Sequence, residues 1–178
     1  TTERIDITYD SLLRISTYTE IIRDDASPAL TTQVILFEAL NYHPTGQLEE
    51  YRETRRETGS TIIQAWVTAV NDRDGDGDTT ELILDDITVA VDATTIIYRN
   101  DMAYTPDGQI TYYYEEIQDP QGRVTNRTMS NIQYEPGTSR MLAYHEVTTS
   151  DITPTGLEMT TITDRTNITY NPLSQIVS

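Results

Sequence analysis

The stretch Tyr104-Thr105-Pro106-Asp107-Gly108-Gln109-Ile110 decides the fold, because its order of residues returns along the chain. It recurs as Tyr42-His43-Pro44-Thr45-Gly46-Gln47-Leu48 and as Tyr170-Asn171-Pro172-Leu173-Ser174-Gln175-Ile176. Looser copies, Tyr9-Asp10-Ser11-Leu12-Leu13-Arg14-Ile15 and Tyr134-Glu135-Pro136-Gly137-Thr138-Ser139-Arg140-Met141, keep the tyrosine, the turn and the aliphatic exit residue. In the 104–110 copy proline fixes φ at the first central position and aspartate suits the second. Glycine then accepts a left-handed conformation, which makes a tight hairpin with a bulge. That register sets Tyr104 across from Ile110, Tyr42 from Leu48, Tyr9 from Ile15 and Tyr170 from Ile176. Each aromatic–aliphatic pair contributes about 0.2 to 1 kcal/mol. Repetition of one hairpin implies a modular scaffold in which no unit buries its apolar face without its neighbours.

Working outward, further turn signals stand near Pro28, Gly59, Gly75, Asp92, Gln121 and Thr155, so that turns recur at intervals of roughly 14 to 18 residues. The segments between them are rich in Thr, Ile, Val and Tyr and lack helical periodicity. Residues 1–178 are therefore expected to form one all-β array: an antiparallel meander of about twelve long strands in a single extended or spiralling sheet. Alternate turns share one edge. On that edge the Asp-rich stretch takes the slot of a tyrosine turn. Residues 49–57 carry charge on both faces of a strand, and their Glu and Arg content equally suits a short solvated helix. Ile7, Leu40, Met102, Ile132 and Ile168, two residues before each tyrosine, form an apolar stripe. A second tyrosine row, Tyr18, Tyr51, Tyr113 and Tyr144, comes three residues after the exit residue, which by strict alternation places it on the opposite face.

Composition narrows the class. Only 37% of residues are hydrophobic, with one Trp and one Phe against 12 Tyr, so a thin sheet fits better than a thick, dry core. A net charge of -17 and a pI near 4.2 repel nucleic acid and anionic membrane surfaces. All 12 basic residues are Arg, a bias that suits a salt-rich or extracellular setting. The chain has no cysteine, which excludes a disulfide framework, and no apolar run of the roughly 20 residues that a membrane helix needs. Two sequons, Asn126-Arg127-Thr128 and Asn167-Ile168-Thr169, are compatible with export and glycans.

The order tyrosine, three residues including the turn, Gly, Gln or Arg, then Leu or Ile, iterated through a Thr- and Tyr-rich chain, resembles the Rhs or YD-repeat (tyrosine-aspartate repeat) family. Tyr9-Asp10-Ser11-Leu12-Leu13-Arg14-Ile15 is the unit most like it. The resemblance implies a secreted or surface array whose antiparallel strands spiral into a shell, serving toxin encapsulation or adhesion. The residue after the tyrosine is Asp only at Asp10 and is His43, Thr105, Glu135 or Asn171 elsewhere. Asp119-Pro120-Gln121-Gly122 sits where an opposite-edge turn is expected.

Asp72, Asp74, Asp76 and Asp78, separated by Arg73, Gly75 and Gly77, offer hard oxygen ligands of the kind calcium prefers. The position where an EF-hand would need Glu holds Ile83, so the expected site is a calcium-stabilised loop rather than an EF-hand. The plain alternative is a solvated acidic loop. His43 and His145 have no nucleophile motif beside them, which argues against catalysis. Tyr112-Tyr113-Tyr114 reads either as a sugar-stacking platform or as a cross-strand ladder, and the ladder is the commoner use.

These features together predict a non-enzymatic extracellular structural protein that self-associates through its edge strands, head-to-tail, into a fibre or surface scaffold. The alternatives are a carbohydrate-binding adhesin module and a fragment of a toxin-encapsulating shell. If calcium binds at Asp72 to Asp78, the unfolding temperature rises in excess calcium and falls in chelator; equal temperatures in both leave only an acidic loop.

Overall fold

The computed structural model describes residues 1–24, 31–69, 81–151, 158–171 and 175–177. These form nine strands: β1 Thr2–Tyr9, β2 Ile15–Asp24, β3 Thr31–Tyr42, β4 Leu48–Ala69, β5 Glu81–Tyr104, β6 Ile110–Gln118, β7 Val124–Tyr134, β8 Met141–Asp151 and β9 Glu158–Arg165. They lie in one antiparallel sheet in chain order, and among the described residues each strand contacts only its sequence neighbours. The sheet is open, since β1 and β9 do not meet. No helix occurs among the described residues, and the 49–57 segment lies within β4, where its charges face cross-strand partners.

The expected pairs are present. Tyr9 faces Ile15, Tyr42 faces Leu48 and Tyr104 faces Ile110, and Tyr134 faces Met141 in the same way. Tyr170 faces Ile176 in an isolated bridge beyond β9. Between units the register is also constant. The third residue after each exit residue pairs with the fifth before the next tyrosine: Tyr18 with Phe37, Tyr51 with Arg99, Tyr113 with Met129 and Tyr144 with Arg165.

The described strands number nine, against about twelve expected, largely because Gly59 and Asp92 are not turns. Gly59 pairs with Val91 and Asp92 with Thr58 inside one long β4–β5 ribbon. A lone glycine among Thr58, Thr61 and Ile62 has no proline or Asx partner to reverse the chain, and β-branched neighbours favour continuing it. Asp92 spends its carboxylate across the ribbon on Arg56, whose Nε and Nη2 donate to it at 3.0 and 2.9 Å. Pairing of β3 to β4 stops at Thr32 and Thr58, and pairing of β5 to β6 at Ile96 and Gln118, so the far part of this ribbon runs past both neighbours. The Asp-rich segment lies outside the described residues. Its flanks, Ala69 and Glu81, pair at the end of the ribbon away from the tyrosine turns. The five motif tyrosines and their exit residues pair at the other edge.

The second tyrosine row likewise departs from strict alternation. Met102, Tyr113, Met129 and Ile132 form one buried cluster, with Tyr51, Tyr104, Ile110, Tyr134, Met141 and Tyr144 packed against it, so both tyrosine rows serve the same face. Two bulges per unit are responsible. Asp6, Asp101, Asn131 and Asn167, each three residues before a tyrosine, adopt φ of 53, 54, 53 and 56°. Asx side chains tolerate this left-handed region where other residues pay strain. A second irregularity comes after the exit residue: Ala103 pairs with Tyr112 but Tyr104 with Ile110. Each bulge adds a residue to one strand and turns the side chains beyond it to the other face.

The same face carries a continuous row across six strands. Arg4 lies 4.2 Å over Tyr18, Tyr18 stacks on Phe37 at 4.7 Å, and Phe37 meets Tyr51 at 5.5 Å. Arg99 then sits between Tyr51 at 5.4 Å and Tyr113 at 4.1 Å. No described side chain is fully buried, as a thin sheet requires. If the Asx bulge is essential, Asn131→Ala destabilises the protein by about 1 kcal/mol while Asn131→Gly is close to neutral, read from denaturant midpoints.

Candidate functional site

The tyrosine edge is the most organised part of the molecule. Tyr42 donates its hydroxyl to the carbonyl of Ile15, Tyr104 to that of Leu48 at 2.5 Å, Tyr134 to that of Ile110 at 2.8 Å and Tyr170 to that of Met141 at 2.8 Å. Every acceptor is the exit residue of the preceding unit. The four bonds form a ladder with one direction, each unit holding the one before it. Burial raises the hydroxyl pKa of Tyr42, Tyr104 and Tyr134, as expected for rings covered by a neighbouring unit. Arg14 lies 4.3 Å over the Tyr42 ring, and Arg140 lies 5.5 Å over Tyr170.

The residue after each tyrosine closes the turn. Asp10 Oδ1 accepts the backbone N–H groups of Leu12 and Arg14 at 2.8 and 2.9 Å, and Oδ2 accepts Arg14 Nε at 2.7 Å. The Arg14 backbone N–H and then its guanidinium hold the Asp10 carboxyl below its ordinary value. Asn171 Oδ1 accepts the N–H of Gln175 at 2.9 Å and Thr105 Oγ1 that of Gln109 at 3.1 Å. Any side chain with a suitable acceptor can do this, which explains why Asp, Thr and Asn interchange there. The Asp119-Pro120-Gln121-Gly122 segment is an opposite-edge turn with the same closure, Asp119 Oδ1 accepting the N–H groups of Gln121 and Arg123 at 2.9 Å each.

Behind the ladder lies a charged network that no local motif marks. Glu115, 3% exposed, pairs with Arg99 and lies 3.8 Å from Arg127, which reaches Glu146 at 2.8 Å. A buried carboxylate is tolerable only when so paired. The signal for it is register alone: Arg99 faces Glu115 and Glu115 faces Arg127.

Asp72, Asp74, Asp76 and Asp78 lie outside the described residues, and among the described residues no group of three or more His, Asp or Glu is placed to hold a metal. His43 Nδ1 lies 2.8 Å from Thr45 Oγ1 in its turn, and His145 Nδ1 lies 2.5 Å from Asp164 Oδ1 across β8 and β9. Tyr113 is buried and Tyr114 donates to Asn126 Oδ1 at 2.7 Å, so these rings serve the sheet. No described helix is long and apolar enough to cross a membrane. The chain matches no protein-family model, no curated protein and no solved structure.

Removing one rung tests the ladder. Tyr134→Phe, which deletes the hydroxyl and leaves a ring in place, costs about 1 kcal/mol of stability by chemical denaturation. Stability also falls in alkali. Burial pushes the Tyr51 hydroxyl up to about 12 and raises that of Tyr113, against about 10 in the unfolded chain. The folded state therefore keeps protons that the unfolded state releases, and stability holds below pH 10 and declines between about 10 and 12. Unfolding monitored by circular dichroism against pH checks this.

Proposed function

We propose that this chain is a non-enzymatic structural repeat module that assembles end to end into a fibre or surface scaffold outside the cell. The observation that carries the reading is the direction of the tyrosine ladder. Every unit grips the one before it in the same direction, so a further unit added in that direction would meet the same donor and acceptor geometry. Units that touch only their neighbours make the sheet one-dimensional, so nothing in the design limits the number of units. The two ends differ, and a contact between unlike ends is heterologous and propagates unless it closes. Both outer strands also keep one row of backbone groups open, which is what edge pairing uses.

The extracellular setting rests on the resemblance to YD-repeat arrays, on the acidic, lysine-free composition and on the sequons. Calcium at Asp72 to Asp78 would screen a surplus of carboxylate that the arginines do not offset. Sedimentation velocity and negative-stain microscopy over a concentration series test the proposal. Assemblies are expected to grow with concentration without stopping at a dimer, and deletion of residues 1–9 should abolish them while leaving a folded monomer. A chain that stays monomeric at its solubility limit in calcium overturns the reading.

A further inference from the structure

We propose that the left-handed bulge before a motif tyrosine is a glycan-acceptor position, and that Asn167 takes an N-linked oligosaccharide in the folded protein while Asn126 does not. The inference rests on the extracellular setting proposed above, since transfer to Asn-x-Ser/Thr takes place on exported chains. Both triplets, Asn126-Arg127-Thr128 and Asn167-Ile168-Thr169, satisfy the pattern, so the sequence ranks them equally. Their places in the fold differ.

Asn126 lies inside β7 with a strand on each side. It pairs with Glu116 of β6 and with Thr149 of β8, and Arg127 and Thr128 are paired on both sides as well. All three residues are half-buried. Asn126 Oδ1 accepts the Tyr114 hydroxyl at 2.7 Å, and the middle residue, Arg127, holds Glu146 at 2.8 Å. A transferase that grips three consecutive residues has to pull β7 out of the sheet to reach these, which breaks two ladders.

Asn167 lies in a bend beyond β9 with φ of 56°, and its side chain has no hydrogen-bond partner among the described residues. Asn167 and Thr169 are both exposed. Ile168 between them is 4% exposed and anchors the triplet, its N–H donating to the Leu142 carbonyl at 3.0 Å. The acceptor amide and the hydroxyl two residues on are therefore both presented to solvent on a fixed backbone. This exposure belongs to the position rather than to the last unit. In units with a neighbour on each side, exposed Asp101 and Ala103 flank buried Met102, and exposed Asn131 and Gln133 flank buried Ile132. The first two residues of each of these triplets fall in a gap of the strand register. Nor does the fold demand Asn-x-Thr here, because Asp6 and Asp101 make the same bulge and Ala103 holds the place of Thr169. In the transfer, Asn167 Nδ2 attacks the anomeric carbon of a lipid-pyrophosphate-linked oligosaccharide. The C1–O bond breaks with its electron pair going to the leaving pyrophosphate, a C1–N bond forms, and the amide gives up one proton.

The folded chain is incubated with a purified oligosaccharyltransferase specific for Asn-x-Thr and a lipid-pyrophosphate-linked oligosaccharide, and occupancy is read by mass spectrometry. One oligosaccharide is expected, on Asn167, with none on Asn126. Asn167→Asp should remove it without moving the unfolding midpoint, because Asp101 serves the same bulge. Gln133→Thr should add a second oligosaccharide, on Asn131, since it gives an internal unit the same Asn-Ile-Thr order. Modification of Asn126 to the same extent in the folded chain, or none at Asn167, overturns the proposal. If Gln133→Thr adds nothing while Asn167 is modified, the bulge is not the acceptor position and the proposal also fails. Sedimentation of the same samples keeps the two readings apart. A chain that assembles but is unmodified at Asn167 loses only the acceptor site, and one that is modified but never assembles loses only the scaffold.

Discussion

A tyrosine hydroxyl reaching the main-chain carbonyl of the unit before it is the constraint on which this molecule depends. A single sheet has no second layer to press its strands into register, and its buried side chains keep some contact with solvent. Register must then come from bonds with fixed length and direction. The rung supplies one per junction. It ties a phenol, whose ring covers the hairpin beneath, to an exit carbonyl whose position the turn has already fixed. The constant register between units and the stacking of Arg14 and Arg140 on the tyrosines are consequences of that tie.

Asx bulges precede three of the four donor tyrosines, Tyr104, Tyr134 and Tyr170, and help aim them. In a regular strand the tyrosines on either side of a turn would alternate between faces, and the apolar surface of each unit would be split. A left-handed residue three places before the tyrosine and an extra residue after the exit re-aim the side chains, so Tyr104, Tyr113, Tyr134 and Tyr144 share one cluster. Concentrating a modest apolar content on one face is how so polar a chain obtains a core. The other face stays wet and carries Leu36, 49% exposed, with the Arg52–Glu38 and Arg56–Asp92 pairs. Such exposed pairs contribute little each, and their use is to tolerate charge on the open face. The Arg99–Glu115–Arg127 network differs because it is buried under the tyrosine row, where an unpaired charge would be costly.

Much of the fold is legible in the sequence. The motif identifies the hairpins, the tyrosine–aliphatic partners and the shared edge, because turn chemistry is local and a period of two carries register away from a turn. Asp119-Pro120-Gln121-Gly122 reads as a turn, and is one, for the same reason. Gly59 and Asp92 mislead, since each has the identity of a turn residue without the neighbours that make one. Reading them as turns puts Ala69 and Glu81, which flank the Asp-rich segment, on the wrong edge. Period-two counting puts the second tyrosine row on the wrong face because it assumes an unbroken strand, although Asp6, Asp101, Asn131 and Asn167 stand at a fixed distance before their tyrosines and carry the signal.

By itself, then, the sequence determined what is local: strands rather than helices, hairpins closed by Asp10, Thr105 or Asn171, and repetition of one unit. Only the tertiary structure decided which carbonyl each tyrosine grips, that both tyrosine rows meet, that Glu115 lies buried between two arginines, and that Tyr9 and Ile176 are left exposed at opposite ends of the series. Those outcomes depend on the accumulated phase of every bulge and turn between distant residues. A phase that accumulates along the chain cannot be read from any one segment.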